Sequence, residues 1–297
     1  MKKSSKLWAH LALLAVALIY GLNYVIAKDV MPIYVQPKGF ILIRAIGATL
    51  LFHLLGLFFK QAAIGRKHWP RLVLAGFFGV AANQLLFFEG LNITSPINAS
   101  VIMTTNPIMV LILSALILKV PVTRARIIGI SLGLTGALLL ISRGESLTEV
   151  LNGGKSLGNL LVFLNALSYG AYLITVKPLM NEYRPLNVIK WVFTCGLVFV
   201  IPFGANQLAA VEWPDLPLMI IGEILYVVLA TTFLAYLLNI YALQSVSSTT
   251  VSFYIYLQPL FASAFAIILG KDALSTLIII AAVLIFSGVY LVSLYRR

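Results

Sequence analysis

Two amide–proline pairs, Asn106-Pro107 and Gln258-Pro259, stand 152 residues apart inside long apolar stretches, SPINASVIMTTNPIMVLILSALILK and SSTTVSFYIYLQPLFASAFAIILGK. A proline inside a helix removes one backbone donor and frees the carbonyl four residues earlier, at Met103 in one copy and Ile255 in the other. In hydrocarbon such a carbonyl needs a partner or a wet cavity. Amides, hydroxyls and aromatic rings gather at helical spacing around these breaks. Ser100, Thr104 and Pro107 share a face, as do Ser252, Tyr256, Pro259 and Ser263. Tyr20 aligns with Asn23; Asn165, Tyr169 and Tyr172 form a third stripe; Asn83 with Gln84, and Thr232, Tyr236 and Asn239, supply two more. These groups suit reversible recognition, by hydrogen bonds and by rings with apolar faces and polar edges.

Groups for covalent chemistry are missing from the pattern. There is no Ser-His-Asp set, paired-histidine motif or acidic metal cluster, and no Gly-Lys-Ser/Thr nucleotide loop, so no catalytic residue, metal or cofactor is assigned. His10, His53 and His68 fall in different segments, and the one cysteine, Cys195, lies in an apolar run. Three charged residues are candidates for a gate or a coupling site: Arg44, Glu89 and Glu223, all read as lying in the outer third of the membrane. Arg44 paired with Glu89 would form an outer gate or a latch, with snorkelling of each to the headgroups as the alternative.

The elements that must position these residues are membrane spans. Apolar residues make up 61% of the 297 positions and charged residues 10%, which describes a polytopic all-α membrane protein. Ten spans are expected: Leu7–Ala27, Lys38–Phe59, Arg71–Leu91, Ile97–Leu118, Arg126–Ser142, Leu157–Lys177, Val188–Ala205, Leu216–Tyr241, Ser248–Leu269 and Leu274–Leu294. The net charge of +12 does not point to nucleic acid, because lysines and arginines cluster at the ends of apolar runs. Their bias places both termini in the cytoplasm, and the first run, a full-length span, does not read as a cleavable signal peptide.

The halves repeat. Tyr20-Gly21, Lys28 and Met31 match Tyr169-Gly170, Lys177 and Met180 at an offset of 149, and Gly136 matches Gly288 at 152. Five spans per copy is an odd number, so the second copy, residues 146–297, enters the membrane opposite to the first, 1–145. Interrupted helices at matching positions of inverted halves point to a binding site near the midplane. The lining is expected from Tyr20, Asn23, Asn83, Ser100, Thr104, Asn106, Tyr169, Tyr172, Tyr236, Asn239, Tyr256 and Gln258, with Pro107 and Pro259 as the helix breaks. Spans 2, 5, 7 and 10 are poorer in polar stripes and read as scaffold. Gly129, Gly133 and Gly136 form a close-packing face for internal contacts or a homodimer.

At these residues the chain resembles the drug/metabolite transporter superfamily, and within it the EamA-type ten-helix group. YGLNYVIAK resembles that group's opening motif, and FFEGLNITSPINASVIMTTNPIMVLILSALIL its third-to-fourth-span signature. ALQSVSSTTVSFYIYLQPLFASAFAIILG resembles the corresponding stretch of the second half. The family usually has Gly-Glu where the fourth and ninth spans end. Here those places hold Lys119-Val120 and Gly270-Lys271-Asp272. A role for that glutamate therefore does not carry over, except onto Asp272. The resemblance implies a secondary transporter of small metabolites, commonly an exporter, in a bacterial inner membrane. The residues themselves suit small polar or amphipathic solutes moved by alternating access, with amino acids, nucleosides or mixed drugs fitting better than polyanions. A membrane-embedded enzyme and a non-transporting membrane partner are the alternatives.

Overall fold

The computed structural model describes residues 3–59, 62–94, 99, 102–142, 156–268 and 276–294. Ser100 and Asp272 lie outside these residues. All regular structure among the described residues is helical. In chain order, α1 is Lys3–Val30, α2 Pro37–Leu57, and α3 runs through Trp69–Gly76, Phe77–Ala82 and Asn83–Ile93. Next come α4 (Asn106–Ile117), α5 (Arg124–Ser142), α6 (Ser156–Val176) and α7 (Pro185–Ala209). The α8 helix joins Leu218–Tyr226, Val227–Leu234 and Ala235–Ser245. The α9 helix joins Ser248–Phe253, Tyr254–Tyr256 and Leu257–Ile268, and α10 is Thr276–Leu294. Among the described residues, six stretches are long and apolar enough to cross a membrane: those within α1, α2, α3, α6, α7 and α8. Their outward faces are oily, with Leu57 and Phe58 about four-fifths exposed, as a lipid-facing surface requires.

Proline and serine set the starts. Pro37, Pro70 and Pro185 occupy first turns, where the missing N–H would be unpaired anyway. Ser247 caps α9 by accepting the Thr250 N–H at 3.1 Å.

Both amide–proline pairs sit at a helix restart, a different geometry from a kink inside one continuous helix. Thr104 and Thr105 form a turn before α4, which begins at Asn106 with Pro107 in its first turn. In α9 the chain tightens to a 3-10 turn at Tyr254–Tyr256 and resumes an α-helix at Leu257, two residues before Pro259. A proline so placed costs no helical hydrogen bond.

α3 and α8 each contain a π-helical segment, Phe77–Ala82 and Val227–Leu234. Wider turns of this kind shift the phase of everything that follows along the helix.

Pairs of helices meet through glycine. α2 packs along α7, α5 along α10, α3 against α6, and α1 against α8. A Cβ on Gly76 of α3 would lie 2.7 Å from the Gly196 backbone nitrogen of α7, and one on Gly90 would lie 2.9 Å from the Gly158 carbonyl oxygen of α6. Gly129 and Gly136 face α10, and Gly133 faces the Phe253 and Tyr256 rings. The glycine face of α5, read from sequence as serving internal contacts or a homodimer, is thus occupied within the chain.

Two residues past the end of α4 stands Lys119, a non-glycine residue at φ 53°, where the Val120 N–H reaches back to the Ser114 carbonyl at 3.1 Å. Only glycine enters this left-handed region without a steric cost. Lys119→Gly is therefore expected to raise stability by about 0.5–1 kcal/mol, seen as a higher thermal midpoint of the detergent-purified protein.

Candidate functional site

The restarts, the π-helical segments and three further helices enclose one cavity of about 90 Å³. α1 contributes Tyr20 and Asn23, α6 contributes Asn165 and Tyr169, and α3 contributes Asn83, Gln84, Phe87 and Phe88. Thr231 and Tyr236 enter from α8, and Ile255 and Gln258 from the broken part of α9. Met103, just before the α4 restart, faces the same space. Met103 and Ile255 are the residues whose carbonyls the two prolines would have freed. The structure brings their side chains to one cavity.

The polar groups here are held by backbone carbonyls of neighbouring helices. The Tyr236 hydroxyl lies 3.0 Å from the Gly79 carbonyl oxygen, where it donates, and 3.3 Å from Asn83 Oδ1. The Tyr236 ring is fixed from behind by Phe193, edge-on at 4.9 Å between centroids. Asn165 Nδ2 donates to the Asn83 carbonyl at 2.7 Å, which turns its Oδ1 away from that bond and leaves it without a partner. Asn23 Oδ1 and both polar atoms of the Gln84 amide likewise complete no hydrogen bond. Buried polar atoms are normally satisfied, so such a concentration around one cavity needs a physical reason.

Six of the residues expected from sequence line this cavity: Tyr20, Asn23, Asn83, Tyr169, Tyr236 and Gln258. Six others do not. Asn106 is fully buried and braces α4 to α6, its Nδ2 donating to the Ala166 carbonyl at 2.8 Å. Tyr172 lies behind the wall, against Gly79, where a Cβ would come within 2.3 Å of the ring. Tyr256 packs on Gly133 and, edge-on, on Phe253. Asn239 is buried away from the cavity. Thr104 lines a separate crevice with Ile108, Leu134 and Phe163, whose walls are almost wholly apolar. Ser100 is outside the described residues.

Arg44 is where sequence and structure differ most. It does not pair with Glu89. Its side chain reaches the central cavity, so α2 is more than scaffold. Arg44 is 3% exposed; its Nε donates to Thr232 Oγ1 at 2.9 Å, and the Thr232 hydroxyl donates in turn to the Val227 carbonyl at 2.7 Å. The guanidinium carbon stands 4.4 Å from the centre of the Phe88 ring. Glu89 faces Lys38 instead, at 4.0 Å and partly exposed. Glu223 of α8 lies outside the cavity. Glu89→Gln is accordingly expected to change stability by no more than about 1 kcal/mol, the range of exposed ion pairs, and to leave any activity of the protein near the wild-type level. Thermal unfolding and flux measured on the same preparation check both halves.

A profile of the EamA-like transporter family matches residues 7–142 and again 156–294. The chain belongs to the EamA-like transporter family. It is therefore an integral membrane protein and a transporter rather than an enzyme, with a small-molecule solute and membrane lipid as its partners. Among curated relatives, the uncharacterized transporter YyaM of Bacillus subtilis (strain 168) is 26% identical over 224 residues, 75% of this chain and 73% of the relative. A protein of Streptantibioticus cattleyicolor named a probable terminal-alkyne amino-acid exporter is 24% identical over 226 residues, 75% of this chain and 73% of the relative. One solved crystal structure superposes with a TM-score of 0.75 at 16% identity, covering 98% of both chains, and so shares the fold.

Proposed function

We propose that the protein is a secondary transporter that exports small polar or amphipathic metabolites, amino acids among them, across a plasma membrane by alternating access. The observation that carries the reading is the single cavity that joins Met103 and Ile255, at equivalent places of two half-chains, with amides and tyrosines from α1, α3, α6 and α8. Ten helices arranged as two inverted five-helix repeats, 1–145 and 146–297, account for it. The most extensive helix contacts have counterparts when α1–α5 are exchanged with α6–α10: α3 on α6 with α8 on α1, and α2 on α8 with α7 on α3. The two π-helical segments, too, fall at matching positions of α3 and α8. Rocking of one half against the other would open the cavity to each side in turn. Both termini lie in the cytoplasm in this reading, following the lysine and arginine bias of the first half. Export rather than import rests on the family resemblance and on the relative named an exporter.

Purified protein reconstituted into liposomes tests the reading. Preloaded pools of labelled amino acids are expected to leave these vesicles faster than protein-free ones. Equal rates for every pool of small metabolites tried would remove the transport assignment.

A further inference from the structure

We propose that the transported solute carries a single carboxylate and that Arg44 is the residue that binds it. The inference rests on the transport reading and adds to it the class of solute. Among the described residues, Arg44 is the only charged one in the cavity wall. A guanidinium stays cationic even where it is stripped of water, so the cavity holds a fixed positive charge. Among the described residues no carboxylate lies within ion-pair distance of it, and Nη1 is buried without a hydrogen-bond partner. One end of the group is fixed, because Nε is held by Thr232 and that hydroxyl by the Val227 carbonyl. The remaining edge is a planar pair of donors, and a carboxylate is the small anion whose two oxygens match such a fork.

The rest of the wall narrows the choice. With one cation and no second, the cavity balances one negative charge, which disfavours a doubly charged phosphate ester. Phe87, Phe88, Met103 and Ile255 give the solute an apolar side. Asn165 Oδ1, left without a partner because its amide nitrogen is engaged, is an acceptor for an ammonium or hydroxyl on the same solute. A compact amino or hydroxy acid satisfies all three demands. Neutral nucleosides and cationic drugs leave the guanidinium unpaired.

The test separates binding from a merely structural Arg44. Efflux is measured from liposomes preloaded with four pools: the protein L-amino acids, the same set as carboxamides, the matching amines without a carboxyl, and nucleosides. The acids are expected to move about tenfold faster than the amides in the wild type. In Arg44→Gln the ratio of the acid rate to the amide rate should fall about tenfold, to near one. Arg44→Lys, which keeps the charge but not the fork, should fall between the two. Amides or amines moving as fast as acids in the wild type would overturn the proposal without recourse to any variant, as would Arg44→Gln slowing acids and amides equally. Nucleosides moving alone would overturn it too while leaving transport standing. No pool moving faster than in protein-free vesicles would remove the transport reading itself.

Discussion

Gly76→Leu is expected to abolish the folded protein. A Cβ at Gly76 would lie 2.7 Å from the Gly196 nitrogen, 2.7 Å from the Val192 carbonyl oxygen and 2.8 Å from Cys195 Cβ. Two of these three atoms are backbone of α7, so no rotamer change relieves the clash, and the α3–α7 pair must separate. Overpacking usually costs about 1–3 kcal/mol and more where the neighbour cannot move, against a total stability of about 5–15 kcal/mol. The loss would spread to the cavity, because α3 carries Asn83 and Gln84 directly after its π-helical segment. Gly222→Leu is the control: nothing lies within 4 Å of a Cβ there, and leucine is the better helix former by somewhat under 1 kcal/mol. Size-exclusion profiles and thermal midpoints of the two variants, compared with wild type, decide the matter. A monodisperse Gly76→Leu protein with an unshifted midpoint would show that α3 and α7 are not held at this distance.

The apolar runs, the amide–proline pairs and half of the expected lining could be read from sequence because each follows a simple periodicity. The residues that could not be read are those where the periodicity changes. On α8 an ideal α-helix puts Thr232, Tyr236 and Asn239 on one face. The π-helical segment Val227–Leu234 widens the turn to a spacing near five, so Thr231 and Tyr236 face the cavity together. Thr232 is then turned to hold Arg44. No residue type announces a π-helix, so nothing in the composition of VVLATTFL could have signalled the shift. The partner of Arg44 was illegible for a different reason. Depth counted along α2 and the presence of an acid on α3 suggested a pair near the surface, whereas a long side chain on a helix packed against α7 and α8 reaches inward to wherever a donor is satisfied. Asn165 and Gln84 were visible as polar residues in spans; what made them part of the cavity is the carbonyl that one of them binds and the partner that the other lacks.

Asn106 and Gln258 occupy corresponding places, each directly before a proline, and sequence alone treats them alike. The structure gives them different work, and replacing each by leucine should separate it. Asn106 is fully buried, with its amide nitrogen on the Ala166 carbonyl of α6. Asn106→Leu loses that bond and places a larger side chain where no space is left, at an expected cost of about 1–3 kcal/mol in stability. The selectivity of whatever solute flux remains should be unchanged, since Asn106 does not reach the cavity. Gln258 lines the cavity and is 6% exposed. Gln258→Leu keeps nearly the same volume, so its thermal midpoint should fall by less than that of Asn106→Leu. Its flux should fall by about tenfold, the equivalent of one polar contact to the solute worth about 1–1.5 kcal/mol. Thermal unfolding and liposome efflux measured on both variants give four numbers, and the pattern should be crossed. If Gln258→Leu instead lost stability while Asn106→Leu lost flux at full stability, the cavity would have been placed on the wrong side of the α4 restart. The asymmetry has a physical source in the restarts themselves. α4 begins at Asn106, whereas the last segment of α9 begins one residue before Gln258, so the two amides leave their helices in different directions although both precede a proline.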